Sequence, residues 1–254
     1  MTKSEKQSLL VMLDYDGTLA PIAARPELAR LTDARKRVLA RLVRAPGVTV
    51  AVVTGRSLSD IESLLGVPGL VISANHGFEM SRSGKVFFPC GGGFRRHFKG
   101  LARDLQSALD GVQGALVECK GFSVAVHYRL VSRKRWGEVE RAVRRVSLPC
   151  RKRFGWKVTG GKRVWEVRPA GRWNKGDAVL WIWNRFAPGS FPIYIGDDET
   201  DEDAFAALRK KGLTVLVGRR GRSAAACRMA DVGKVWRMLK LMIEGVAYAG
   251  VKRR

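Results

Sequence analysis

Three times in this chain a run of four or five apolar residues stops at a short polar turn built from Asp, Thr and Gly. The runs are "LLVMLDYDGTL" from Leu9, "VTVAVVTGRS" from Val48 to Ser57, and "FPIYIGDDETD" from Phe191 to Asp201. Unbroken apolar runs of this length suit strands covered on both faces, which is the situation of a parallel sheet flanked by helices. The intervals supply the helices. Thr32 to Ala45 opens on Thr-Asp and closes before Pro46-Gly47, while Asn174 to Phe186, Asp201 to Lys211 and Lys234 to Glu244 carry helical spacing, and Leu213 to Val217 is a further strand. The expected fold class is α/β, with a Rossmann-like parallel-sheet core. In open sheets of this kind ligands collect at the carboxyl ends of the strands, near the switch in strand order. If the three runs are neighbours, Asp14, Asp16, Thr54, Asp197 and Asp198 arrive at one edge.

The middle of the chain has a different rhythm. Ala115 to Leu130 alternates like an antiparallel pair around Lys120-Gly121, "RKRWGEVERAVRRV" reads as a helix, and "WKVTGGKRVWEVRP" reads as a hairpin turning at Gly160-Gly161. Cys90 to Gly93 and Pro169-Ala170-Gly171 bracket this stretch with hinge-like composition. The expected organisation is a discontinuous core, 1–90 with 171–254, carrying an inserted α+β cap domain at 91–170 that acts as a lid.

Charge separates the two parts as well. The formal net charge is +24, and residues 91–170 hold 19 Lys and Arg against 6 Asp and Glu. Such an excess favours phosphates, nucleic acid or anionic surfaces without specifying a fold. The clusters "SRKRW", "RAVRR" and "CRKRFGWK" mix basic residues with aromatics, as grooves for single-stranded nucleic acid do, so a nucleic-acid-binding protein is the alternative class. Cys90, Cys119, Cys150 and Cys227 stand singly, without zinc or disulfide spacing, and read as reduced thiols. The apolar run at Leu9 to Leu13 is too short for a signal peptide or a bilayer span, so the expectation is a cytoplasmic protein with no membrane partner.

Against this basic background "GDDETDEDAF", Gly196 to Phe205, packs six carboxylates into ten residues. Two carboxylates about 4 Å apart repel by roughly 4 kcal/mol at an effective dielectric near 20, so a folded cluster calls for a cation or for solvent. Acids in the first turn of a helix are also favoured by the macrodipole, which is the plainer reading of Asp201, Glu202 and Asp203. "Asp-x-Asp-Gly-Thr" adds the parts for cleaving a phosphate monoester. Asp14 would attack phosphorus, and Asp16 would protonate the leaving oxygen and then deprotonate water. Mg2+ would find oxygen ligands in Asp14, the backbone carbonyl of Asp16 and Asp197, with Asp198 and Asp201 bracing the ion and its waters. Thr54 and Lys175 would hold the transferring oxygens.

"LDYDGTL", "VVTGR", "NKGDAV" and "GDDETDEDAF" resemble the four ordered motifs of the haloacid dehalogenase-type phosphatases. With "SANHGFE", "ECKGFSVAVHYR" and "VWEVRPAGRWNKGDA" the chain is similar in detail to the trehalose-6-phosphate phosphatases, from Leu10 to about Met242. The resemblance implies an Mg2+-dependent hydrolase working through an aspartyl phosphate in the last step of trehalose biosynthesis. It also implies a cap inserted between the second and third motifs. The partner so implied is a small-molecule sugar phosphate; separately, the chain is expected to be a monomer and nucleic acid is not expected. Carried over residue by residue, Lys120, Ser123 and Glu166 become sugar contacts in the cap, with Arg129 and Arg168 near them. Gly55, Arg56, His76 and Gly77 line the core side. Sucrose 6-phosphate and mannosyl- or glucosyl-3-phosphoglycerate remain alternative substrates, although Thr200-Asp201-Glu202 favours trehalose 6-phosphate.

Overall fold

A computed structural model of the chain describes residues 8–23, 25–90, 95–161, 163–169, 173–219 and 221–251. In chain order the elements are β1 (Leu9–Leu13), α1 (Asp33–Val43), β2 (Val48–Val53), α2 (Leu58–Leu65), β3 (Val71–Ala74), β4 (Glu79–Arg82) and β5 (Lys85–Phe87). There follow α3 (Arg95–Ala108), β6 (Leu116–Cys119), β7 (Val124–His127), α4 (Trp136–Phe154), β8 (Lys157–Gly161) and β9 (Val164–Arg168). The chain then continues through α5 (Lys175–Phe186), β10 (Phe191–Gly196), α6 (Asp201–Leu208), β11 (Leu213–Val217), β12 (Cys227–Met229) and α7 (Val232–Val251). Contacts divide it into two compact units, residues 1–89 with 173–254, and residues 90–172. The glycine runs expected as hinges, at 91–93 and 170–171, lie outside the described residues, as does the basic tail at 252–254.

The first unit is an eight-stranded sheet in the order β12-β11-β10-β1-β2-β3-β4-β5. It is parallel from β12 to β3 and turns antiparallel through β4 and β5. The three motif-bearing strands are therefore neighbours, and their register brings Leu13 opposite both Ile195 and Val52. Alternation sorts the side chains onto two faces. Val11, Leu13, Val50, Val52, Ile193 and Ile195 pack toward α1, α2 and α7, while Leu10, Met12, Ala51, Val53 and Tyr194 pack toward α5 and α6. Leu10 to Leu13 are fully buried, so every residue of this stretch must be apolar, and each such side chain contributes about 1.5–3 kcal/mol. Thr32 caps α1, Ser57 caps α2, and Asn174 closes a capping box with Asp177 at the start of α5.

The second unit is a four-stranded antiparallel sheet, β6-β7-β9-β8, with α3 and α4 on one face. Phe98 on α3 stacks on Trp156 at 3.8 Å between ring centres. Two expectations need correction here. The hairpin reverses between Gly161 and Val164, with Arg163 at φ +65°, because Gly160 and Gly161 stay in the strand, where Gly160 leaves room for the Trp165 ring. The central helix also runs past the expected Val146, through Pro149, and ends at Phe154 with Gly155 in the left-handed cap position. Among the described residues no helix is long and apolar enough to cross a membrane.

Candidate active site

The carboxyl ends of β1, β2 and β10 form the edge at which the acidic residues collect. Asp14 follows β1 directly, donates its backbone N–H to the Ile195 carbonyl and is buried. Lys175, at the first position of α5, is 3% exposed and reaches the same point. Its Nζ donates to Asp14 Oδ1 at 2.8 Å and to Asp201 Oδ1 at 2.7 Å. A buried ammonium at a helix N-terminus opposes the helix dipole and is tolerable only when anions surround it. Lys175 has two. Burial alone would pull its proton affinity down, but the charges of Asp14 and Asp201 outweigh that and raise it.

Asp201 is fully buried and saturated with donors. Its Oδ1 accepts from Lys175 and, at 2.6 Å, from the Tyr194 hydroxyl. Its Oδ2 accepts the backbone N–H groups of Asp197 and Asp198, each at 2.9 Å. Asp201 is thus more than an acid at a helix start, since it fixes the backbone of the turn that carries Asp197 and Asp198. Glu202, one residue on, instead accepts from the backbone of Ala224. Asp198 is exposed.

Asp14, Asp197 and Asp201 each offer an oxygen within 4.8 Å of the others. The cluster includes Asp201, for which only a bracing role was expected, and it leaves out the Asp16 side chain. Two of its members show the electrostatic cost of this crowding. Burial pushes Asp14 well above its ordinary value, against the pull of Lys175 and with the push of Asp201 and Asp197. Burial, then the charges of Asp201 and Asp198, push Asp197 up to about 6. A cluster of three carboxylates and one ammonium has room electrostatically for a divalent cation, and all-oxygen donors match Mg2+. Gly17 closes the cluster from the β1 side. It sits at φ +85°, and a Cβ there would fall 2.0 Å from Asp197 Oδ2, so glycine is required on both counts.

Thr54, buried at the end of β2, accepts at Oγ1 from the Arg56 N–H at 3.2 Å. Arg56, expected to line the substrate site, has its side chain engaged within the protein. Its guanidinium grips Asp16 with two bonds of 2.7 Å and holds Asp60 at 2.8 Å. His76 and Gly77 belong to a turn in which Asn75, His76 and Gly77 have φ of +50°, +55° and +97°. Two non-glycine residues in this region cost roughly 1–2 kcal/mol each, offset here by bonds from Asn75 N–H to the Arg56 carbonyl, His76 N–H to the Thr54 carbonyl, and Asn75 Nδ2 to buried Glu79. The turn lays the His76 ring against Gly55, where a Cβ would meet it at 2.7 Å.

In the second unit, strand register puts Lys120, Ser123, Glu166 and Arg168 at positions of one parity, on the sheet face opposite α3 and α4. Ser123 Oγ donates to Glu166 Oε1 at 2.8 Å. Glu118 and His127 form a 3.0 Å pair on the same face. Arg129 lies beyond the end of β7 and is exposed. Tyr194 escaped the sequence reading, although a tyrosine within a fully buried strand needs a partner for its hydroxyl and so carries a signal.

A family model described as trehalose-phosphatase matches residues 12–229. The trehalose-phosphate phosphatase of Mycobacterium tuberculosis is 37% identical over 214 residues, covering 82% of this chain and 53% of that protein. A probable trehalose-phosphate phosphatase of Arabidopsis thaliana is 31% identical over 258 residues, covering 95% of this chain and 69% of the relative. An uncharacterised glycosyl hydrolase of M. tuberculosis is 40% identical, with 86% of this chain matching 17% of its length. The chain thus spans a fraction of several of its curated relatives. Among solved structures, a trehalose-6-phosphate phosphatase related protein superposes with a TM-score of 0.78 at 27% identity, covering 96% of this chain and all of the other.

Proposed function

The chain belongs to the trehalose-phosphatase family, and from that premise we propose that it hydrolyses trehalose 6-phosphate to trehalose and inorganic phosphate. The observation that carries this reading is the packing of Asp14, Lys175, Asp197 and Asp201 at the carboxyl edge of three adjacent parallel strands. A phosphate monoester is among the slowest esters to cleave in water, and such a site supplies an in-line oxygen nucleophile with fixed charges around it.

In this reading a carboxylate oxygen of Asp14 attacks phosphorus. The bond from phosphorus to the sugar oxygen breaks, and the Asp16 carboxyl proton passes to that oxygen, leaving an acyl phosphate on Asp14 and a carboxylate on Asp16. In the second half Asp16 takes a proton from water as its oxygen attacks phosphorus, the Asp14–phosphate bond breaks, and inorganic phosphate leaves. Lys175 sets the orientation of Asp14 through Oδ1 and balances its charge. Thr54, at the end of β2, would bond a phosphoryl oxygen. Asp14, the Asp16 carbonyl and Asp197 would hold Mg2+, which when bound supplies positive charge to the phosphoryl oxygens. The second unit serves as cap, with Ser123 and Glu166 already bonded to each other and Lys120 and Arg168 on the same face to grip the sugar.

The test is phosphate release from trehalose 6-phosphate, sucrose 6-phosphate, glucose 6-phosphate and an aryl phosphate, each with Mg2+ and with EDTA. A Mg2+-dependent preference for trehalose 6-phosphate is expected. Equal activity on every ester would reject the sugar site, and activity surviving EDTA would reject the metal.

A further inference from the structure

We propose that Arg56 is a positioning residue for the acid–base carboxylate Asp16, and that Asp60 and Tyr15 hold Arg56 for that purpose. The proposal rests on the reading of the site as a phosphomonoesterase. The geometry begins with the Arg56 side chain, which is 8% exposed. Nε donates to Asp16 Oδ2 and Nη2 to Asp16 Oδ1, both at 2.7 Å, so the fork fixes the plane of the carboxylate as well as its place. On the other edge Nη1 donates to Asp60 Oδ2 at 2.8 Å. The cation also lies over the Tyr15 ring, 5.2 Å from its centre, and the Tyr15 hydroxyl donates to the Ala29 carbonyl at 2.6 Å. Both edges and one face of Arg56 are therefore engaged within the protein, which is an unsuitable arrangement for a group meant to bind substrate.

Asp16 needs such a clamp. It sits in a turn, followed by Gly17 in the left-handed region, and its side chain is about two-fifths exposed. An aspartate in that setting has several rotamers open to it, and proton transfer to a leaving oxygen demands one of them. The pair also suits the proton's path in the first half-reaction. When the Asp16 carboxyl gives its proton to the departing sugar oxygen, the carboxylate that remains is the form that accepts two N–H bonds from Arg56, and the same form then receives a proton from water. An ordinary ion pair at a partly exposed position is the competing account, and it would affect stability slightly without touching the chemistry.

The experiment separates these by leaving group. kcat/KM, which reports the steps through loss of the alcohol or phenol, is measured on aryl phosphates graded from 2,4-dinitrophenyl to phenyl phosphate, none of which carries the sugar. A good leaving group departs without a proton, whereas a poor one needs Asp16 in place. Arg56→Gln is expected to widen the ratio between the best and poorest leaving groups by about 10², the lower range of what a general acid supplies. Arg56→Lys, which keeps the charge and loses the fork, should widen it also. Asp60→Asn, outside the reacting groups, should widen it in the same direction by less, and serves if the Arg56 variants do not fold. Ratios within about threefold of the wild type's, in an active wild type and folded variants, would overturn the proposal alone. A wild type inactive on all the esters and on trehalose 6-phosphate would overturn the functional reading and the proposal with it.

Discussion

The crowded carboxylates make a quantitative prediction about how pH and Mg2+ act on stability. Without a cation, the Asp197 carboxyl holds its proton up to about 6, against 3.8 for an ordinary aspartate. Between those values the folded chain binds more protons than the unfolded one, so stability is highest below the lower value and is lost as pH rises toward 6. That difference would correspond to about 3 kcal/mol for a fully buried group, and because Asp197 is partly open to solvent we expect about 1–2 kcal/mol. A bound divalent cation requires the ionised form, so its effect runs in the opposite direction. At a hundredfold excess over its dissociation constant at pH 8, Mg2+ should stabilise by about 2.7 kcal/mol, or about 5–10 °C in Tm for a chain of this size. At pH 5 the proton competes, affinity drops about tenfold, and about 1.4 kcal/mol of that gain disappears. Calorimetry or dye-based melting at pH 5, 6, 7 and 8, with EDTA and with Mg2+, reads both trends. A Mg2+ shift equal at pH 5 and pH 8, or none at any pH, would refute the reasoning.

Further outcomes follow from individual contacts. Asp14→Asn should abolish turnover while retaining substrate binding by calorimetry, since an amide is no nucleophile for phosphorus; near-normal turnover would remove Asp14 from that role. Tyr194→Phe strips one donor from the buried Asp201 carboxylate and should lower unfolding stability by about 1.5–3 kcal/mol in denaturant melts. An unchanged midpoint would mean that the Tyr194 bond contributes nothing net. Glu166→Ala should reduce kcat/KM on trehalose 6-phosphate at least about tenfold more than on an aryl phosphate, because remote binding energy matters only to the substrate that carries the sugar. Equal losses on both would make the Ser123–Glu166 bond a purely structural one.

Much of the core was readable because its strands are buried on both faces. Leu10 to Leu13 and Val50 to Val53 had no freedom to be polar, so their ends, and the residues after them, are legible in the sequence. Leu213 to Val217, buried at four of its five positions, was found to the residue as well. The helix α3 was missed although Phe98, Leu101, Leu105 and Leu109 have helical spacing. It lacks a capping signal, follows a glycine run, and its basic residues dominate the stretch. The turn at Arg163 was misplaced onto Gly160-Gly161 because glycine is read as a turn residue, whereas here Gly160 is small for the sake of a tryptophan across the ladder. At the site, residue types announced the acids and the lysine, but not their pairing. Whether Arg56 faces a ligand or Asp16 depends on side-chain torsions that spacing does not encode. The fourfold satisfaction of Asp201 likewise depends on a tyrosine seven residues earlier that strand alternation had to bring inward.

The order of strands has a bearing on how the molecule comes into being. β1 lies between β2 and β10, and its Leu9 is matched with Phe191, 182 residues later. At about 5–20 residues per second of synthesis, one edge of the strand leading to Asp14 waits about 9–36 s for its partner, while the whole second unit is made and can fold. During that interval a fully apolar strand presents open backbone donors and acceptors, the template on which chains pair wrongly with one another. The acidic turn after β10 arrives together with the strand that closes this edge, so assembly of the site and removal of the hazard are the same late event.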